Sequence, residues 1–178
     1  MRVLGIDPST KMGFVILDLY DTNVVTIYHT EYHAPGKGCE RLGAIATRLE
    51  GILSAYKPTM IALEGYSFGS KFNHEIMYSI GTVLRYFLWQ QEYNYQLIPP
   101  TTLKKFVTGK GNSKKDLMLK AVFKNWAFDT NNDNEADAYA LALYAIFHEL
   151  GIADVKGVWK KGDAKNFTYM HQSNLIAV

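Results

Sequence analysis

Two short apolar segments that each end on an acid constrain this chain more than any other feature. Val3-Leu4-Gly5-Ile6 runs into Asp7, and Met60-Ile61-Ala62-Leu63 runs into Glu64-Gly65. Both read as buried strands. A carboxylate at the end of a buried strand is costly to desolvate unless an opposite charge meets it. A third acid, Asp137, lies near the start of an apolar run over residues 135–150. Two acids at equivalent strand ends, with a third at a helix start, are better explained by a shared cation than by separate ion pairs.

The rest of the chain supplies a frame for those acids. Residues 2–7, 14–19 and 24–32 read as an antiparallel meander, with the Pro8–Gly13 stretch as its first turn. Apolar residues at 42, 45, 46, 49, 52 and 53 have helical spacing, and Lys57-Pro58 ends that helix. Strand 59–63, a long helix over 72–91 and strand 95–98 follow. Helices are then expected over 101–106, 113–126 and 135–150. Ser113 is placed to cap the second of these, with Asp116 three residues on. This order predicts an α/β domain with a five-stranded mixed sheet flanked by helices. Residues 1–150 form the expected domain, and 151–178 a less regular tail.

Composition narrows the class. Of 178 residues, 48% are hydrophobic, enough for one core, and 13% are aromatic, whose default role is packing in it. The net charge of +2 neither favours nor excludes nucleic acid, so placement of charge decides. The single cysteine, Cys39, excludes an internal disulfide and a cysteine-built zinc cage. No apolar run spans a membrane, and the first residues carry no signal pattern, so a soluble cytoplasmic protein is expected.

Hard divalent cations take oxygen ligands, and a pair of them hydrolyses phosphodiesters without a nucleophilic side chain. Asp7, Glu64 and Asp137 are therefore the candidate metal ligands and catalytic residues. Asp133 shares a helix face with Asp137 and is the leading fourth ligand. Asn134 and Glu135 stay open as alternatives.

The quoted motifs resemble a known family. Val3-Leu4-Gly5-Ile6-Asp7-Pro8-Ser9-Thr10-Lys11-Met12-Gly13, then Ile61-Ala62-Leu63-Glu64, then Asn134-Glu135-Ala136-Asp137-Ala138-Tyr139-Ala140 are similar to three ordered motifs of RuvC-type Holliday junction resolvases. The resemblance runs to about residue 147. It implies an RNase H-like fold, a homodimer, and magnesium-dependent (or manganese-dependent) nicking of two strands of a four-way DNA junction. Its acidic site maps onto Asp7, Glu64 and Asp137. Family members carry an Asp where this chain has Asn134. The short, divergent sequence resembles bacteriophage versions.

The one charge asymmetry runs from Lys104 to Lys124, with only Asp116 opposing its lysines. Lys104, Lys110, Lys114 and Lys115 are candidate phosphate contacts, with salt-sensitive binding expected. The resemblance gives Lys104 and Lys115 a place near the scissile phosphate, Lys115 being the stronger catalytic candidate. It also places Tyr66 and Phe68 where an aromatic ring wedges between bases. Ile76, Ile80, Val83, Leu84 and Phe87 offer either a dimer interface or a sheet-packing face. Other branched DNA and RNA–DNA hybrids are alternative substrates. An actin-like ATPase fragment or a non-catalytic DNA-binding module are the alternatives outside the nucleases.

Overall fold

A computed structural model describes residues 1–66, 74–153 and 167–171. Strands β1 (Arg2–Asp7), β2 (Lys11–Tyr20) and β3 (Asn23–His33) form the expected antiparallel meander. After α1 (Gly38–Tyr56), β4 (Met60–Glu64) returns parallel to β1. Helix α2 (His74–Gln90) leads to β5 (Tyr95–Ile98), parallel to β4. Helices α3 (Pro100–Thr108), α4 (Lys115–Trp126) and α5 (Asp133–Glu149) follow.

The mixed α/β sheet with flanking helices is as expected, but it has six strands, not five. β6 (Thr168–His171) pairs parallel with β3, and the order is β5-β4-β1-β2-β3-β6. The exposed edge of β3 has unpaired backbone groups for which a short distant strand is a partner. Four residues, remote from their partner in sequence, leave too weak a periodic signal to be read in advance.

Alternation along the strands divides the core. Leu4, Ile6, Phe14, Ile16, Ile61 and Leu63 pack against α1 and α2 on one face. Val3, Val15, Leu17 and Ala62 pack against α3, α4 and α5 on the other. Helix α5 is apolar nearly all round and is buried from Ala138 to Phe147, as a helix crossing the middle of a core must be.

Two glycines let α5 come down onto the sheet. A Cβ at Gly5 would stand 2.0 Å from the Ala138 carbonyl oxygen, and one at Gly13 would stand 2.0 Å from that of Asn134. Any side chain at either position would lift the helix. These glycines therefore set how close Asp137, between those two contacts, comes to the end of β1.

Helices α3 and α4 are fixed to α5 by aromatic rings. Phe106 stacks on Trp126 at 5.4 Å and meets Tyr144 and Phe147 edge-on. Ser113 does not cap α4. Its hydroxyl bonds Thr108 Oγ1 at 2.6 Å and the Lys110 carbonyl at 2.8 Å, closing the α3–α4 loop instead. The helix starts at Lys115, and the preceding Lys114 makes no side-chain cap.

On α2, Ile80 and Leu84 are buried against the sheet, with Ile76, Val83 and Phe87 packed beside them. The outward face carries Tyr78, Tyr86 and Trp89, of which Trp89 is 70% exposed. Among the described residues, no helix is long and apolar enough to cross a membrane.

Candidate active site

Strand register places the first two acids side by side. Ile6 lies opposite Leu63 in the parallel β1–β4 pair, so the following residues, Asp7 and Glu64, end neighbouring strands. Paired residues of a sheet point to the same face. That face is the one α5 covers, and Asp137 comes down from its second turn.

The three carboxylates feel one another. Burial pushes the Asp7 carboxyl well above the usual range, and the charges of Glu64 and Asp137 push it further. Glu64 is raised to about 7, first by burial and then by Asp137, against the pull of a hydrogen bond with Asp7 and the charges of Lys104 and Lys115. Asp137 is raised to about 6, mainly by burial, with Lys115 opposing and Asp133 adding. Elevation by burial and by neighbouring acids is what like charges in a low-dielectric place produce.

Asp137 Oδ1 is buried without a hydrogen-bond partner. Buried polar atoms are nearly always bonded, so an orphaned carboxylate oxygen facing other carboxylates fits a cation ligand. Among the described residues, no three His, Cys, Asp or Glu side chains stand as a group that could hold a metal ion without further donors. An oxygen donor set that leaves positions to water and phosphate is the usual arrangement for magnesium.

The sequence left three choices for a fourth ligand, and they are differently engaged. Asp133 opens α5 and pairs with Lys115 Nζ at 2.5 Å. Asn134 Nδ2 donates to Glu31 Oε2 at 2.5 Å. Glu135 turns away, bonded to His29 Nδ1 at 3.0 Å and Thr130 Oγ1 at 2.9 Å. The Asn132 side chain caps the helix by accepting from the Asn134 and Glu135 backbone N–H groups.

The lysines separate by position. Lys115 bonds Asp133, which raises its own pKa, and its charge is felt at Asp7, Glu64 and Asp137. Lys104 acts on Glu64 and Asp137 from α3. Lys110 and Lys114 stand exposed on the α3–α4 loop.

Tyr66 lies just beyond Glu64 but is docked on α2. Its ring meets Tyr78 at 4.6 Å, and the Arg85 guanidinium covers it at 4.7 Å. Its hydroxyl donates to the Tyr78 carbonyl at 3.1 Å and accepts from Arg85 at 2.5 Å. With Pro8, Glu64 and Gly81, these groups line a cavity of about 110 Å³. Phe68 lies outside the described residues.

Sequence reasoning passed over Glu31. Hydrogen bonds from His33, Asn132 and Asn134 overcome its desolvation and hold its carboxyl down at about 2, the opposite of the other three acids. Its position opposite Gly13 ties it to the site. Period-two alternation gives the face of Glu31 on β3, but only the strand register relates it to Asp7.

Residues 3–148 match the family described as crossover junction endodeoxyribonuclease RuvC. The protein of that name from Gloeobacter violaceus is 31% identical over 156 residues, covering 84% of this chain and 90% of its own. The Thermus thermophilus RuvC structure superposes with a TM-score of 0.72 at 20% identity, covering 85% of this chain and 97% of that one. The same species' RuvC in complex with Holliday junction substrate gives 0.70 at 22% identity, covering 85% and 96%. With its paired strand-end acids, its α5 aspartate and a family match over most of its length, this chain belongs to the RuvC family.

Proposed function

We propose that the protein is a structure-selective DNA endonuclease that resolves four-way junctions by hydrolysing phosphodiester bonds. The observation that carries this reading is that Asp7 and Glu64 end neighbouring strands within electrostatic reach of Asp137, whose buried Oδ1 is left unpartnered. These three side chains would hold divalent cations, magnesium or manganese, with Asp133 as a further oxygen donor. Bound there, such ions supply an activated water and neutralise charge developing on the phosphate.

The chain's own residues do the rest. Lys115 and Lys104 bring positive charge beside the carboxylates, where a scissile phosphate would sit. Lys110 and Lys114, farther out on the loop, suit non-reacting phosphates. Tyr66, locked between Tyr78 and Arg85, shapes the wall next to Glu64. Phe68 is then the candidate base wedge.

One such site cuts one strand, so paired cuts in a junction need two copies of the chain. A homodimer is therefore part of the proposal, with the exposed Tyr86 and Trp89 face of α2 as the surface for the second copy. Residues 1–150 would carry the chemistry, and the β6 segment would extend the sheet on the far edge.

The test is cleavage of a synthetic four-way junction with magnesium and with chelator, using wild type and Asp7→Asn. Magnesium-dependent nicking in wild type is expected, with loss of cleavage and retained junction binding in Asp7→Asn. Cleavage by Asp7→Asn at the wild-type rate would reject the site. Preference for a flap or an RNA–DNA hybrid would reject the substrate.

A further inference from the structure

We propose that Glu31 is a positioning residue of the nuclease site: it grips the Asn134 side chain and so sets the first turn of α5, which carries Asp133 and Asp137. This inference rests on the nuclease reading above.

The sheet places four residues in one row. Glu64 and Asp7 end adjacent strands, Asp7 lies opposite Gly13, and Gly13 lies opposite Glu31. All four share the face that α5 covers. Gly13 leaves a bare step between Asp7 and Glu31, and the backbone of Asn134 occupies it. The Asn134 side chain then reaches past Gly13 to Glu31 Oε2. The other Glu31 oxygen is taken by His33 Nε2. The Asn132 side chain, which also bonds Glu31, accepts through Oδ1 from Asn134 N at 2.9 Å and Glu135 N at 3.1 Å. The first turn of α5 is thus clasped between its own cap and a carboxylate of β3.

Distance decides how Glu31 acts. Strands two apart in a sheet are separated by roughly 9–10 Å. A carboxylate that far from Asp7, with both oxygens occupied, is not placed to bind a cation held by Asp7. It works through Asn134 and the Asn132 cap. Groups that orient ligand-bearing segments in this way typically change metal affinity or activity by roughly 10–100-fold when removed.

The experiment uses the full chain as Glu31→Ala, Glu31→Gln, Asn134→Ala and the Glu31→Ala/Asn134→Ala double variant. Magnesium binding without DNA is measured by calorimetry, and junction nicking is resolved into kcat and KM. Glu31→Ala is expected to weaken magnesium binding and lower kcat, each by roughly 10–100-fold, with KM for the junction little changed. Glu31→Gln still accepts the Asn134 amide hydrogen and is expected to recover most of both. The double variant is expected to be no worse than Glu31→Ala. Glu31→Ala that matches wild type within about twofold in both readouts would overturn the proposal, as would losses that multiply in the double variant. If Glu31→Ala is normal while Asp7→Asn is inactive, only the role of Glu31 falls. If wild type neither binds magnesium nor nicks a junction, the nuclease reading falls with it.

Discussion

Replacing Asp137 with Asn should make the metal-free protein more stable while removing its activity. In the fold Asp137 ionises near 6, and its ordinary value is 3.8. Each pKa unit is worth about 1.4 kcal/mol, so holding the charged carboxylate at pH 7.5 costs up to about 3 kcal/mol. Screening brings the expected gain to roughly 1–3 kcal/mol, the attraction to Lys115 being already contained in the Asp137 value. The direction with pH follows from linkage. Below about pH 4 both folded and unfolded chains keep the proton, and no penalty exists. Between about 4 and 6 the unfolded chain releases it first, so wild type loses stability as pH rises; above 6 the full penalty stands. Neutralising Asp137 also relieves Glu64, whose own value near 7 owes part of its elevation to that charge. The assay is thermal unfolding in chelator at pH 7.5 and pH 4, with and without magnesium. For a chain of this size the variant should melt roughly 3–9 °C above wild type at pH 7.5, with little difference at pH 4. Magnesium should raise wild type more than the variant. An Asn variant that melts at or below wild type at pH 7.5 in chelator would refute the claim that the fold holds a buried Asp137 charge at a cost.

Two further outcomes follow from the way the site is built. Gly13→Ala puts a Cβ 2.0 Å from the Asn134 carbonyl oxygen, so α5 must shift; denaturant unfolding should show a loss of about 1–3 kcal/mol and nicking should fall by about 100-fold. Gly43→Ala, whose Cβ would meet nothing within 4 Å, should leave nicking unchanged, and equal behaviour of the two variants would remove the close-approach argument. Lys115→Ala takes away the charge felt by all three carboxylates, so kcat should drop by on the order of 100-fold and the salt slope of junction binding should shrink by about one; unchanged nicking would place Lys115 outside the reaction.

The parts of the fold that sequence made legible are those whose signal is local. β1 and β4 announce themselves as apolar runs, and their terminal acids stand out because burial penalises an unpaired charge. Helix α5 is read from its length and apolar density, and starts only two residues earlier than its periodicity suggests, at Asp133 rather than 135. The earlier start follows from Asn132, whose side chain satisfies the first backbone donors. The misreading of Ser113 has a similar origin. A serine before a helix is a good cap by type, but Thr108 and the Lys110 carbonyl compete for its hydroxyl, and no local pattern reports that competition. β6 depends on an open strand edge elsewhere in the chain.

Register is what sequence withheld, and register is what makes the site. Asp7 and Glu64 are recognisable singly, yet that they end side by side follows from Ile6 lying opposite Leu63. Gly5 and Gly13 look like ordinary strand and turn glycines until α5 is seen resting on their missing side chains. The same row explains how two carboxylates of one sheet face behave oppositely. Asp7 meets other acids and is pushed upward, whereas Glu31, beyond Gly13, meets His33, Asn132 and Asn134 and stays ionised. A one-residue slip between β1 and β2 would turn Asp7 away from α5. Leu4 and Ile6, fully buried against α1 and α2, forbid that slip, since it would drive one of them to the place where Gly5 lets the Ala138 carbonyl oxygen come close. The packing of the α1–α2 face therefore holds the acids of the α5 face in register, and the chemistry of the site is fixed by side chains on the side of the sheet it does not use.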